Sequence, residues 1–439
     1  MDDSPTRRVV ITGMGLISPL GNTKEALWDA LASCRSGVGP IERLPAEHLP
    51  ISCAAEVRDF TGAIDDFGPL AKDQKRNIRK GLKVMCREIQ MGVAAAQLAL
   101  SDAGLALGGY DPDRTGAIYG SDYILTDPDE FTEGVRHCSS PDNEFDFNRW
   151  ATEGMPHVTP LWLLKYLPNM PASHIAIYND LRGPNNSITL REASANLAVA
   201  EAYCTIARGH ADIMLAGATG TRLHPLRTIH VALQEELAKG NGPPETLSRP
   251  FDLDRQGMVI GEGAAAVIVE DLETAQARSA TILAEIVGFG SSCVMDRQGT
   301  GNVAKATENV IRQSLRKADM KPDDVGHIHA HGLSTRKCDA EEATAIKAVF
   351  GERKEPVPVT AAKSYMGNLG AGTGVVELIA SVMALDKDRL FPILNYETPD
   401  PDCPISAVQS IETPPGDSFL SVNVTPQGQA SAVLVRRVH

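Results

Sequence analysis

The chain has 439 residues, of which 43% are hydrophobic and 22% are charged. This composition predicts a globular protein with enough apolar residues for a large core, and it excludes a disordered or low-complexity chain. The formal net charge of -14 at pH 7 argues against a nucleic-acid partner, because affinity for a phosphate backbone depends on Lys and Arg.

The N-terminal stretch MDDSPTRRVVITGMG has acidic residues first and no apolar run of signal-peptide length, and no window reaches the length of a membrane span. We therefore expect a cytoplasmic protein with no membrane partner. The eight cysteines never form a CxxC pair, so neither a metal site nor a disulfide framework is expected. The Gly-rich segments lack the GxGxxG and GxxxxGK[ST] patterns, and no cofactor is expected.

Seven apolar runs alternate with helical patterns and predict an α/β fold. In chain order they are RRVVITGMG, RTGAIYGS, ADIMLAGA, GAAAVIVED, ILAEIVGFG, VGHIHAHG and ASAVLVRR. Three pairs of segments resemble each other in the same order: VVITGMGLIS and LAEIVGFGSS, YDPDRTGAIYGS and MKPDDVGHIHAHG, EGAAAVIVED and GQASAVLVRR. This repetition predicts two related halves, residues 1–271 and 272–439.

The first half is the longer one, so it contains insertions that the second lacks. One spans residues 121–169, includes Trp150 and Trp162, and is expected to cap a site or form a dimer interface. Another includes the basic segment 72–87, which either docks an acidic carrier protein or forms a solvated helix face.

The stretch GPNNSITLREASANLA, residues 183–198, has the pattern of a strand that delivers a side chain to the start of a helix. A helix N-terminus lowers the pKa of a thiol and stabilises an oxyanion, so a reactive cysteine would suit this turn. The residue there is Glu192. Cys204 lies about 18 Å farther along such a helix, and Ser194 points to another side of it, so neither substitutes for a thiol.

Four motifs and the internal repeat resemble the β-ketoacyl-acyl-carrier-protein synthases, the thiolase-fold condensing enzymes of fatty-acid and polyketide synthesis. The motifs are VVITGMGLISPLGN, SRPFDLDRQGMVIGEGAAAVIVE, AHGLSTRKCDAEE and AAKSYMGNLGAGTGVVE. The resemblance implies two repeated halves in a layered α/β/α/β/α arrangement, a dimer, and acyl carrier protein as a partner. It also implies a site with one cysteine and two histidines, in which Glu192 occupies the cysteine position.

The same resemblance assigns the other site residues. His331 corresponds to the first family histidine, Asn368 to the second, and Lys363 to a lysine that supports them; His327 and His329 share the strand face of His331. Asp339 and Glu342 either support this cluster or neutralise a helix dipole. In the C-terminal loop TPQG, Pro426 falls at a gating phenylalanine whose backbone N–H a proline lacks, and Gly428 is assigned with it to substrate binding.

These departures leave three functions open. A silent subunit, like the chain-length factors that pair with a Cys-containing ketosynthase, explains the joint loss of several catalytic groups. A malonyl-carrier decarboxylase, or another lyase or hydrolase on acyl carriers, would use Glu192, His331 and Asn368 without a thiol. The third is an active 3-oxoacyl synthase. A homodimer and a heterodimer are both compatible with the sequence.

Overall fold

The computed structural model describes residues 7–240 and 242–438. The first six residues lie outside it; they are part of the N-terminal stretch used to predict a cytoplasmic protein. The strands of the two halves alternate with helices. They are β1 (Val9–Ile17), β2 (Gly39–Pro40), β3 (Cys53–Ala54), β4 (Thr115–Ser121), β5 (Asn185–Thr189), β6 (Ile213–Thr221), β7 (Glu262–Asp271), β8 (Ala284–Cys293), β9 (His327–His329), β10 (Pro358–Thr360), β11 (Ser406–Ala407), β12 (Ser418–Val424) and β13 (Gln429–Arg436).

Eleven of these strands form one mixed sheet in the order β11-β10-β9-β12-β13-β8-β1-β7-β6-β4-β5. The order β1-β7-β6-β4-β5 in the first half is repeated as β8-β13-β12-β9-β10 in the second, with the same parallel and antiparallel directions at each step. The two halves meet where Val9–Ile11 of β1 pair with β8. The predicted internal repeat is therefore confirmed.

The helices lie in three layers that separate and cover the two halves of the sheet. They are α1 (Lys24–Ala32), α2 (Lys72–Gly81), α3 (Arg87–Asp102), α4 (Asp129–His137), α5 (Met170–Asn179), α6 (Ser194–Ala207), α7 (Pro225–Gln234), α8 (Leu272–Ala277), α9 (Val303–Ala318), α10 (Arg336–Phe350), α11 (Lys363–Met366) and α12 (Thr373–Lys387).

Helices α6 and α12 form the middle layer, since both pack in one buried cluster with strands of the two halves. Helices α3 and α5 cover the outer face of the first half, and α9 and α10 that of the second. The predicted α/β/α/β/α arrangement is confirmed. A Cβ at Gly374 would lie 2.8 Å from that of Ala195, so glycine allows the starts of α12 and α6 to approach closely.

The insertion at residues 121–169 contains α4 and several short helical turns. It is stabilised by its own aromatic cluster, in which the ring of Phe131 lies 6.2 Å from Trp150 and 4.7 Å from Trp162. Phe147 and Leu161 of the same insertion remain 75% and 66% exposed. Within residues 7–240 and 242–438, no helix combines the length and apolarity that a bilayer crossing requires.

Candidate active site

Glu192 lies where the predicted strand, turn and helix meet. β5 ends at Thr189, a short 3-10 turn covers residues 191–193, and α6 follows directly. Arg191 adopts a left-handed conformation with φ 52°, which is uncommon for a residue other than glycine and marks a sharp turn. The sharp turn leaves the side chain of Glu192 buried at the start of the middle-layer helix, with 1% exposure.

The Glu192 carboxylate is held by two hydrogen-bond donors and one further cation. Its Oε1 accepts a hydrogen bond from Arg222 and a second, 3.0 Å long, from Asn368 Nδ2, while Arg191 Nε lies 3.3 Å from Oε2. Arg222 is itself buried at the end of β6, with 1% exposure. Glu192 is thus one member of a buried ion pair.

Further charges extend this pair into a network. Arg222 lies 3.6 Å from Asp122 and 3.7 Å from Glu235, and Glu235 also pairs with Arg191. Gly370, with φ 68°, packs against this network, since a Cβ there would lie 3.2 Å from both Arg222 Nε and Asp122 Oδ2. We call Glu192, Arg191, Arg222, Asp122 and Glu235 the buried charge network.

Electrostatics keep Glu192 ionised. Burial alone would raise the pKa of its carboxyl, but Arg191, Arg222 and the Asn368 hydrogen bond outweigh it and hold that pKa well below the usual range. The carboxylate is therefore a fixed negative charge at neutral pH. A second carboxylate in contact with it would be repelled.

Asn368 is also committed to this arrangement. Its Oδ1 accepts hydrogen bonds from the backbone of Gly370 at 3.0 Å and from Thr373 Oγ1 at 3.3 Å, which directs Nδ2 toward Glu192. The donor that the sequence assigns to an enolate or carbonyl oxygen is thus occupied by a side chain of the same protein.

His331 and Lys363 lie together, as the sequence predicts. Lys363 Nζ lies 2.7 Å from the backbone oxygen of His331, 3.2 Å from its Nδ1 and 2.6 Å from Glu377 Oε1. Because the ammonium can only donate, Nδ1 accepts and Nε2 has the proton. Burial and Lys363 lower the pKa of His331 well below 6.5 against the opposing effect of Glu192, so the ring is neutral.

Asp339 and Glu342 support the loop that holds His331. Glu342 accepts the backbone N–H of His331 at 2.6 Å and of Gly332 at 2.8 Å, and Asp339 accepts that of Leu333 at 2.9 Å. Burial raises the pKa of Asp339 to about 6 and that of Glu342 to about 7. Both are structural supports of the His331 loop.

His327 and His329 pack inside the second half of the sheet. The ring of His327 lies 2.8 Å from the Pro415 backbone oxygen and 3.2 Å from Ser381 Oγ. The ring of His329 lies 2.8 Å from Ser381 Oγ and accepts the Ala362 N–H at 3.1 Å. Their nitrogens are satisfied internally, so only His331 faces the candidate site.

Pro426 and Gly428 form the turn between β12 and β13. Gly428 has φ 79° and donates its N–H to Thr425 at 2.9 Å, which closes a tight hairpin turn. The side-chain oxygen of the neighbouring Gln427 accepts from Arg191 at 3.3 Å. The turn therefore touches the buried charge network, while its contact with a substrate stays a prediction.

Cys86, Cys204 and Cys403 are poor candidates for an alternative nucleophile at this site. All eight are free thiols; burial raises the pKa of Cys86 and Cys403 to about 12 and also raises that of Cys204, on α6. Such thiols are poor nucleophiles near neutral pH. In the described ranges, no three His, Cys, Asp or Glu side chains are grouped to hold a metal ion.

The basic segment 72–87 is mainly the exposed helix α2, with Lys72, Arg76 and Lys80 exposed. Arg87 turns inward instead and pairs with Glu262 at 2.8 Å. The remaining exposed cations keep open both interpretations of this helix, a carrier-docking surface and a solvated face.

The sequence did not predict Asp122, Arg222 and Glu235. Asp122 comes directly after β4, Arg222 directly after β6 and Glu235 directly after α7. The strands β4 and β6 were both predicted. A charged residue at the end of a buried strand was the available signal. The partner of such a residue, however, can lie far away in the chain: Arg222 and Glu192 are 30 residues apart.

The pH dependence of stability offers a first test. Burial raises the pKa of Glu88 to about 8; Asp122 adds to the rise, and Arg227 and Arg222 oppose it. The Cys86 thiol is a further titratable group beside Glu88. A carboxyl with a raised pKa stabilises the fold below the unfolded pKa of about 4.3, and this contribution is lost as pH rises toward 8. Glu88→Gln, which imitates the protonated form, should lack this loss.

We therefore expect the stability of wild type relative to Glu88→Gln to fall between pH 5 and 8, with a slope of up to about 1.4 kcal/mol per pH unit. Denaturant unfolding at several pH values measures it. The exposed variant Glu153→Gln serves as the control. A stability difference that stays constant over this range would contradict the buried, protonated Glu88.

Comparisons with known proteins agree with this architecture. Residues 6–275 match the beta-ketoacyl synthase N-terminal domain, and residues 283–397 match the beta-ketoacyl synthase C-terminal domain. The chain is 36% identical over 403 residues to a 3-oxoacyl-[acyl-carrier-protein] synthase 2 of Coxiella burnetii, covering 92% of this chain and 91% of that protein.

Two solved structures are similar over nearly their whole length. A beta-ketoacyl synthase from Burkholderia phymatum STM815 has a TM-score of 0.83 and 28% identity, covering 99% of this chain and 100% of that one. The ishigamide ketosynthase/chain length factor has a TM-score of 0.82 and 26% identity, with the same coverage. The repeated fold, the strand-to-helix turn at Glu192 and these matches show that the chain belongs to the beta-ketoacyl synthase family.

Proposed function

We propose that this chain is a non-condensing subunit that pairs with a Cys-containing ketosynthase and acts beside acyl chains bound to carrier protein. The observation that carries the proposal is the pairing of Glu192 with Arg222 inside the buried charge network. Condensation requires an acyl thioester on the enzyme, and a carboxylate bound by two guanidinium groups does not form one. Glu192 is thus assigned a structural role at the position where a ketosynthase places its thiol.

Several features support a partner subunit. β5 is the terminal strand of the sheet, and the backbone N–H of Ser187 donates to Asn186 Oδ1 at 2.8 Å rather than to β4. An open edge of this kind can pair with another strand. Within the described residues, most of the exposed large apolar side chains lie in the insertion 121–169 and in helices α5 and α7: Val135, Phe145, Phe147, Met155, Leu161, Leu163, Ile177, Leu226, Ile229 and Leu233.

Interrupting the open edge should prevent assembly. Ser187→Pro removes an N–H that β4 does not use, so we expect a folded chain whose affinity for the co-expressed ketosynthase falls at least about 10-fold. Ser187→Ala is the matched control, because both variants lose the hydroxyl contact with Pro168. Affinity co-purification followed by native mass spectrometry measures the complex.

The ketosynthase to use is the Cys-containing one encoded nearest to this chain. A stable heterodimer with wild type and Ser187→Ala, but not with Ser187→Pro, is the expected result. A wild-type chain that forms homodimers and never takes up the ketosynthase would contradict the proposal.

A malonyl-carrier decarboxylase is the second candidate, and His331 favours it. Its Nε2–H is buried and has no hydrogen-bond partner among the described residues, so it is available to an enolate oxygen. The ionised Glu192 and the occupied Asn368 donor oppose this function, because the first repels a malonyl carboxylate and the second is not free.

A further inference from the structure

A cavity whose lining does not include Glu192 lies between the start of α3, the segment after β4 and the start of α7. Its volume is about 500 Å³, within the range of small-molecule sites. Glu88, His224 and Arg227 line it, whereas Glu192, Asn368 and His331 do not.

Buried polar atoms in its wall have no protein partner among the described residues. They are Glu88 Oε1, His224 Nε2, and Nε and Nη2 of Arg227. Arg227 and Glu88 are 1% and 2% exposed, so these atoms cannot be satisfied by bulk water. A buried polar atom without a hydrogen bond is costly, which indicates that something else fills the cavity.

Arg227 is fixed with one edge free. Its Nη1 donates to the Thr221 backbone oxygen at 2.8 Å and lies 3.4 Å from Glu88 Oε2, while its plane lies over the ring of Tyr123 at 4.6 Å. The opposite edge, formed by Nε and Nη2, presents two parallel N–H groups. This fork matches the two oxygens of a carboxylate.

His224 adds another donor. Its Nδ1 accepts the backbone N–H of Leu226 at 3.2 Å and of Arg227 at 3.4 Å, so the proton is on Nε2. Burial lowers the pKa of His224 to about 4, and Glu88, with its raised pKa, is protonated near neutral pH. The unpartnered groups of the wall are therefore available as donors. Apolar side chains line part of the cavity: Leu44, Pro45, Leu82, Met85, Ile124, Leu125 and Leu223. The lining also contains further charged residues, the cations Arg43, Lys83, Arg87 and Lys165 and the acidic residues Asp127, Asp129 and Glu130.

We propose that this cavity binds a small organic carboxylate, with the carboxylate on the free edge of Arg227, beside His224, and the hydrocarbon part against the apolar wall. The inference does not rest on the silent-subunit proposal, because Glu192, Asn368 and His331 do not line this cavity.

Calorimetric titration of the full-length chain with hexanoate tests the assignment, with hexanamide as the uncharged probe. We expect hexanoate to bind and hexanamide not to bind at the same concentrations. Arg227→Gln should weaken hexanoate binding about 10- to 100-fold, because it removes a charged bidentate partner. Arg182→Gln, at an exposed pair with Asp180, is the matched control and should leave binding unchanged.

His224→Asp is a second variant that remains informative if Arg227→Gln fails to fold. Aspartate can still cap α7, but its charge opposes an anion, so hexanoate binding should fall at least 10-fold. The proposal would be overturned if hexanoate and hexanamide bound equally, or if both variants left hexanoate binding unchanged. It would also be overturned if hexanoate did not bind to wild type, in which case water fills the cavity.

Discussion

Replacing Glu192 with alanine is expected to lower the free energy of unfolding by about 3–5 kcal/mol, the cost of removing one partner from a buried ion pair. Arg222, at 1% exposure, would lose its closest carboxylate and keep only Asp122 and Glu235 at 3.6 and 3.7 Å. A catalytic residue held at a site for reactivity often shows the opposite effect, since its removal stabilises the fold. Denaturant unfolding at pH 7 measures the change.

The matched control is Glu153→Ala, which breaks the exposed pair with Arg149 and should leave stability unchanged. The pH dependence gives a second check. Because the pKa of Glu192 is depressed in the folded chain, its stabilisation is complete above the unfolded pKa of about 4.3 and is lost as pH falls below it. The difference in the free energy of unfolding between wild type and Glu192→Gln should therefore become smaller in acid. A loss under about 1 kcal/mol at pH 7 would contradict the assigned role.

Introducing a thiol at position 192 is expected to give no condensation. In Glu192→Cys the thiol would lie beside Arg191 and Arg222, which favour a thiolate. An acyl group on that thiol, however, would lie beside the buried charge of Arg222, with Asp122 3.6 Å from Arg222. We also predict that Pro426 occupies an oxyanion-donor position; it has no backbone N–H, and loss of one such donor costs about 10²–10³ in rate.

Acyl carrier and malonyl carrier, incubated with Glu192→Cys and followed by mass spectrometry, provide the test. We expect no β-ketoacyl product at a detection limit about 1,000-fold below the rate of the Cys-containing partner ketosynthase, and the same for Glu192→Ser. Efficient condensation by Glu192→Cys would show that a thiol at this position is sufficient, and the account of the buried charge network would be wrong.

The strands that the sequence predicted are those with continuous apolar runs, and all seven runs form strands in the structure. β12, SFLSVNV, was missed because Ser421 and Asn423 alternate with its apolar residues, a pattern typical of a half-exposed strand. The structure buries these residues, since Asn423 donates to Glu377 at 2.7 Å. β10 and β11, of three and two residues, are too short for any periodicity to show.

The candidate site was predictable only where the family motifs are local. Glu192, His331, Lys363 and Asn368 follow from short motifs, and the structure places them around the starts of α6 and α12. The ion pair with Arg222 depends on where β6 ends in space and on the orientation of two buried side chains, neither of which a periodic pattern contains. The sequence therefore left the ionisation of Glu192 open, and the geometry favours the carboxylate.

Intact-protein mass spectrometry of malonyl carrier incubated with the purified wild-type chain tests the central claim most directly. The account predicts that the carrier stays malonylated and that the chain gains no acyl adduct, while addition of the Cys-containing ketosynthase and an acyl carrier gives a β-ketoacyl product. Formation of acetyl carrier by the chain alone, at a rate that Glu192→Gln or His331→Ala changes, would show a catalytic decarboxylase and contradict the account.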